Sequence, residues 1–416
     1  MMSEFHLPEK VNRIDVVVGQ DHAGVLKKAA RHEFGYDEEY SPNISLTMTN
    51  PEDKMGVFGN DSLHAIFRQN LPEGYIRRYI FQKLTRHNRR IKVDDMFLLA
   101  LQMDNGIGQL NYQSDIQLPT IEETTLSEIL KWDSKEDLFP QLLEKHYLKG
   151  MLSGVQPKVL VNSERASINQ KDFIVKSFDD EFDLLTVNEF VCMSAAKHCG
   201  LNPPDFYLSE NLENFVIDRF DYDEAGQKIG FEDFTTLMNK DDSPDAKYSG
   251  SYETLLRAVS DFTFNNKSQI ELAYRYIAFN CLIGNGDAHL KNFALQYNSD
   301  LSDIRLTPPY DITHTQIYPT LDKELALKLD RSKGFPDIKA LIKLASAVPD
   351  CEIYQPEVII NELADGIMES LDESAEVEAF DGLKESIETN VMAVKGVAYN
   401  PKGYRHKKKK KFDFES

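Results

Sequence analysis

Cysteine is scarce in this chain, four in 416 residues, and no C-x-x-C pair or His/Cys cluster is present, so neither a disulfide framework nor a thiolate zinc site is indicated. Cys192 and Cys199 stand seven apart on an expected helix, which suits reduced, partly buried thiols. Long apolar runs are also missing. None approaches the roughly 20 residues that cross a bilayer, and MMSEFHLPEK has no signal-like region, so a soluble cytoplasmic protein without a membrane role is expected. Positive charge is in deficit: 47 Lys and Arg against 68 Asp and Glu give a net charge of −21, which argues against gripping nucleic acid over the general surface. Arg77, Arg78, Arg86, Arg89 and Arg90 do gather in one segment, and Arg405 and residues 407–411 form a basic tail. Solvated charge is the plainer account of both.

What is present is apolar mass, 41% of the residues with 24 Phe, enough for two or three globular cores. RIDVVVG, HAGVLKK, EFGYDEEY and ISLTM read as strands of a small mixed domain, followed by helices in LPEGYIRRYIFQKL and DDMFLLALQM. Polar residues 111–135 mark a connection, with short helices around ILKW and LFPQLLEKHYL. The boundaries expected are 1–115 for the first domain, 116–150 for connecting helices, 151–222 for a small β-rich lobe, 223–400 for a helical lobe and 401–416 for the tail. In the helical lobe, FEDFTTLM, SYETLLRAVSDF and SQIELAYRYIAFNCLIG read as helices, while FALQYN and IRLTPPYD read as short strands.

The chemistry gathers in residues 282–313. Asp287 and Asn292 stand as D-x-x-x-x-N, and Asp311 follows later, the spacing at which phosphoryl transfer places a proton acceptor and two magnesium-holding groups. Alone, that spacing also suits loop capping. Upstream, Ser153-Gly154 lies before a strand and is by itself an ordinary hairpin turn. Lys176 projects from the apolar strand FIVKSF, either reaching solvent from an edge or meeting an anion. The next helix, capped by Gly200, carries Glu189 among apolar neighbours. Asp218-Arg219-Phe220-Asp221 then leads out of a strand and could border an adenine pocket. Glycine loop, strand lysine, helix glutamate, connecting strand, D-x-x-x-x-N and late Asp follow the order of a bilobal kinase. The fold expected is therefore α+β and protein-kinase-like, preceded by a small mixed α/β domain.

On FGNDSLHAIFRQNLPEGYIRR, SGVQPK, FIVKSF, the NEF of the helix, DRFD, GNGDAHLKNF and PPYDI, the chain resembles the HipA-type serine/threonine kinases, toxins of bacterial toxin–antitoxin pairs. The resemblance implies an ATP- and Mg2+-dependent enzyme in which Asp287 orients and deprotonates the acceptor hydroxyl and Asn292 and Asp311 hold the metal. It implies that Lys176, paired with Glu189, contacts the ATP phosphates under the loop carrying Ser153, Gly154, Val155, Gln156 and Lys158. Phe220, the backbone around Asp218 and Tyr310 would take the nucleotide. His289 belongs to the motif, with a structural hydrogen bond and proton transfer both open. Some family members carry their autophosphorylated serine a few residues before the loop glycine. Met151 stands there in this chain, which leaves Ser153 as the candidate for self-inactivation. The resemblance further implies a protein substrate such as an aminoacyl-tRNA synthetase, and a helix-turn-helix antitoxin through which DNA is met indirectly. A catalytically silent corepressor and a small-molecule or lipid kinase are the alternatives.

Overall fold

The computed structural model describes residues 6–397 apart from 52–55, 119–123, 135, 149–157, 162–171, 179–180, 322 and 350. An antiparallel sheet in the order β4-β3-β2-β1-β5 opens the chain, from β1 (Arg13–Val18), β2 (Asp21–Lys28), β3 (His32–Tyr36), β4 (Val57–Asn60) and β5 (Leu110–Gln113). α1 (Ala65–Arg68), α2 (Gly74–His87) and α3 (Asp95–Ala100) lie between its last two strands. α2 buries Ile76, Ile80 and Leu84 at four-residue intervals, so one helical stripe faces the N-terminal core.

The expected strand ISLTM is not one. Ile44 and Ser45 are buried, but the backbone N–H of Leu46 and the hydroxyl of Ser45 donate to the Glu232 carboxylate at 2.7 and 2.8 Å. A long-range acceptor thus takes a backbone N–H that a sheet ladder would need. The expected connector is also partly structural. β5 pairs with β1, and α4 (Leu126–Leu130) and α5 (Leu138–His146) bury Ile129, Leu138, Leu142 and Leu143 in the N-terminal core.

A second antiparallel sheet has the order β6-β7-β9-β8, from β6 (Lys158–Val161), β7 (Phe173–Lys176), β8 (Phe206–Leu208) and β9 (Phe215–Asp218). α6 (Leu185–His198) crosses over between β7 and β8. Strand alternation gives this sheet two buried faces. Phe173, Val175 and Val216 join the N-terminal core, whereas Phe215 and Ile217 join the larger core of the helical lobe with Ile174 packed against it.

The helical lobe begins with a strand where a helix was expected: β10 (Gly230–Asp233) pairs with β11 (Ala294–Tyr297), which pairs with β12 (Arg305–Leu306). Only Phe234–Leu237 of FEDFTTLM is helical, as α7, with Asp233 as its cap. α8 (Tyr252–Phe262) and the central α9 (Lys267–Ile283) follow. α9 is buried nearly all round and stops at Gly284, whose φ of +82° is the left-handed cap that glycine adopts without strain. A hairpin of β13 (Glu324–Leu329) and β14 (Ser332–Gly334) precedes α10 (Ile338–Leu344), α11 (Pro356–Glu373) and α12 (Leu383–Val394). No helix among the described residues is long and apolar enough to cross a membrane.

Candidate active site

A cavity of about 1050 Å³ lies where the N-terminal domain, the β6–β9 sheet and the helical lobe meet. Lys176, Glu189, Phe220, Asp287, His289, Asn292, Tyr310 and Asp311 all line it. Residues more than a hundred positions apart are thereby brought together.

At its inner wall the Lys176 ammonium donates to both Glu189 and Asp311. Lys176 and Glu189 are almost wholly buried, while the Asp311 side chain is 27% exposed. Burial opposes the ammonium's charge, but Asp311 and Glu189 together outweigh it and hold its pKa above the ordinary value. Asp311 takes a left-handed φ of +54°, a conformation that Asp tolerates better than most side chains. The neighbour of Glu189 fixes the register between the two acids. Asn188 donates from its amide to the His314 carbonyl at 2.9 Å and accepts from the His314 N–H at 2.7 Å, tying α6 to the segment after Asp311.

The loop after α9 presents Asp287, whose side chain is 56% exposed. Its backbone is pinned: Asp287 N–H donates to Asn285 at 3.0 Å, and Gly286 N–H donates to Thr315 at 2.8 Å. A Cβ on Gly286 would stand 2.5 Å from the Glu324 carbonyl, so the close approach of β13 requires glycine here. His289 and Asn292 close a 3-10 turn, the Asn292 side-chain oxygen accepting from His289 N–H at 3.0 Å. Burial, then the charges of Lys247 and Lys291, push the His289 pKa down to about 3, so the imidazole is neutral. Its Nε2 lies 3.9 Å from Asp287, beyond a hydrogen bond.

Phe220, Phe231 and Tyr310 form an aromatic group at the other end, the first and last with ring centroids 5.2 Å apart. The Tyr310 hydroxyl donates to the Lys291 carbonyl at 2.7 Å, joining this group to the loop that carries Asp287. Of the other expected nucleotide contacts, Asp218 is buried and does not line the cavity. It shares its strand face with Val216, and Ile217, Arg219 and Phe220 form the wall instead. Ser153, Gly154, Val155 and Gln156 lie outside the described residues. Lys158 opens β6, its backbone paired in register with Lys176.

Several contacts of the site carry no sequence signal of their own. Arg219 is fully buried in a two-pronged pair with Asp221, and it also donates to the Asn105 and Gly106 carbonyls of the N-terminal domain. Gly108 N–H returns a bond to Asp221 at 2.8 Å. Glu73, just before α2, pairs with Lys291 of the catalytic loop. Tyr248 donates to Asp287 at 3.1 Å.

The donor set fits a nucleotide with a bound divalent metal. Among the described residues no cluster of three or more His, Cys, Asp and Glu could cage a metal alone. One carboxylate and one amide, Asp311 and Asn292, match an ion that keeps waters and shares its shell with substrate phosphates.

Comparison with known proteins accounts for this arrangement. Residues 14–113 match the HipA N-terminal domain model, and residues 150–375, more than half of the chain, match the HipA-like C-terminal domain model. A provisionally named kinase of Haemophilus influenzae is 30% identical over 194 residues, 43% of this chain and 56% of that protein. The serine/threonine-protein kinase toxin HipA of Shewanella oneidensis is 26% identical over 245 residues, 50% of this chain and 51% of that one. The matched regions thus span little more than half of these two relatives. A chain of the solved complex of Shewanella oneidensis HipA, HipB and operator DNA superposes with a TM-score of 0.64 at 18% identity, covering 92% of this chain and 98% of that one. The fold is α+β and kinase-like with an added N-terminal domain, and the chain belongs to the HipA family of kinases.

Proposed function

We propose that this chain is an ATP- and Mg2+-dependent serine/threonine-protein kinase and the toxin of a type II toxin–antitoxin pair. The observation that carries the reading is the buried Lys176 ammonium held between Glu189 and Asp311, in the cavity that Asp287 and Asn292 also line. When bound, Mg-ATP supplies the phosphoryl group and the charge that neutralises it. Asn292 and Asp311 would hold the metal, and Lys176 would face the phosphates. The aromatic group of Phe220, Phe231 and Tyr310 offers an apolar wall for the base. Asp287, open to solvent, accepts the hydrogen bond of the acceptor hydroxyl and takes its proton as the oxygen attacks. Neutral His289 shapes the loop beneath Asp287 without adding charge.

A helix-turn-helix antitoxin as partner, with DNA met through it, follows the solved relative's company of HipB and operator DNA. An aminoacyl-tRNA synthetase as target, and self-inactivation at Ser153, follow the family resemblance. The test is transfer of labelled phosphate from Mg-ATP to the protein itself and to a bacterial lysate, with the label mapped. Wild type transfers label and Asp287→Ala loses about 1,000-fold or more, as expected where a positioned base and its geometry are removed together. Equal labelling by the two proteins overturns the assignment of Asp287. No transfer and no ATP turnover by wild type overturns the kinase reading and favours a silent corepressor.

A further inference from the structure

The segment 246–252, AKYSGSY, packs on the loop that carries Asp287, and its Lys247 and Tyr248 line the same cavity as Lys176 and Glu189. It begins with a 3-10 turn, Ala246–Tyr248, and leads into α8 through Ser251, whose hydroxyl caps the helix by accepting from Thr254 N–H. The turn is internally tied, Tyr248 N–H donating to the Asp245 carbonyl at 2.9 Å and the Ser249 hydroxyl to the Ala246 carbonyl at 2.7 Å. Two phenols four residues apart reach from it to adjacent positions of the loop. The fully buried Tyr252 donates to the Ala288 carbonyl at 3.0 Å, and Tyr248 donates to the Asp287 carboxylate at 3.1 Å. The Tyr248 ring also stands edge-on to His289, with centroids 5.4 Å apart. One side chain therefore touches both the carboxylate and the imidazole of D-x-H-x-x-N.

From this geometry we infer that Tyr248 is a positioning residue for the transfer reaction, its hydroxyl holding one oxygen of Asp287 so that the other is presented to the acceptor hydroxyl. The inference rests on the kinase reading above. A carboxylate on an exposed loop rotates freely unless something fixes it, and a general base must meet the attacking hydroxyl within hydrogen-bond reach. The backbone at Asp287 is held through Asn285 and Thr315, contacts that act on the main chain rather than on the carboxylate. Tyr248 adds a restraint on the carboxylate itself. The contact is not a lid, because with the phenol in place the Asp287 side chain is still 56% exposed. Burial and the neighbouring Asp287 charge both raise the Tyr248 pKa, which keeps the phenol protonated and able to donate.

The experiment is Tyr248→Phe in the full chain, assayed with labelled Mg-ATP and a degenerate Ser/Thr peptide library as acceptor, beside binding of a fluorescent ATP analogue and a thermal melt. A hydrogen bond to a charged group governs about a 10- to 100-fold change. The expected result is kcat lowered by that factor with the ATP-analogue Kd and the melt unchanged. A fluorotyrosine at position 248, which keeps the ring and the hydroxyl, retains kcat. Unchanged or increased kcat in Tyr248→Phe overturns the inference, the increase marking an obstructing phenol. A lowered melt, or weakened nucleotide binding that accounts for the loss, also overturns it, in favour of a structural role. A wild type that transfers nothing overturns the kinase reading itself and is distinguished at once from failure of the variant.

Discussion

Glu232→Gln should remove one falling contribution from the pH dependence of stability. The Glu232 carboxylate is fully buried between the two domains, where it accepts from Ser45 and Leu46 of the N-terminal domain and from Tyr297 of β11. Burial pushes its pKa up from 4.5 to about 7, against the pull of those three bonds, Tyr297 foremost. The folded protein therefore holds this proton more tightly than the unfolded chain. The associated stability is fully present below pH 4.5 and is lost as pH rises through about 7. At about 1.4 kcal/mol for each tenfold change in proton affinity, the loss is about 3 kcal/mol. Lys228, whose pKa burial and then the Arg219 charge lower to about 7, changes stability only at higher pH and with the opposite sign. Buried His64, His289 and His314, lowered to about 4, 3 and 4, add contributions that rise with pH up to about 6.5, but both proteins share them, so the difference between wild type and variant isolates Glu232. Glutamine cannot ionise and keeps a single acceptor, so the variant carries a pH-independent offset of about 1–3 kcal/mol. Urea unfolding followed by Trp132, the one tryptophan and packed against the N-terminal core, reads the difference. Parallel pH profiles for wild type and Glu232→Gln would refute the reasoning, whatever their separation.

Two further outcomes bear on the catalytic loop. Glu73→Lys and Lys291→Glu should each lower kcat by setting like charges side by side, and the double exchange should recover it with a coupling of about 1 kcal/mol or more, read from a double-mutant cycle in the labelling assay. Additive losses would show that the pair does not link the N-terminal domain to the loop. Gly284→Ala should destabilise by about 2–4 kcal/mol in urea unfolding. Its φ is +82°, and the new Cβ would stand 2.5 Å from His314 Nδ1, in a ring held by Ile283 and Ser386. A loss under about 1 kcal/mol would mean that the ring gives way.

The ion pair of Lys176 and Glu189 was legible because each charge interrupts an otherwise apolar element, and the cavity brings Asp287, Asn292 and Asp311 beside it as the spacing suggested. Contacts between distant elements were not legible. ISLTM has the alternation of a strand, yet its backbone N–H groups meet side chains: Leu46 that of Glu232, nearly two hundred residues away, Ile44 the Tyr36 hydroxyl and Thr47 the Ser45 hydroxyl. FEDFTTLM has apolar residues at helical intervals, but its first half pairs with a strand some sixty residues later. The β13–β14 hairpin passed unread, as did the part played by Tyr248, since neither the alternation in ELALKL nor a lone Tyr in KYSGS says which loop it will meet. Arg219 and Asp221 stood out as a motif beside an expected adenine pocket. Their bonds to Asn105, Gly106 and Gly108 depend on a turn in the other domain.

Phe173, Val175 and Val216 turn one face of the small lobe into wall for the N-terminal core. Neither domain can then be inherited alone. A lineage that discards the first 116 residues uncovers an oily stripe directly behind the strand of Lys176, and must first rewrite those three positions for water. Whatever regulatory freedom the front domain has is limited by that shared masonry: it cannot leave.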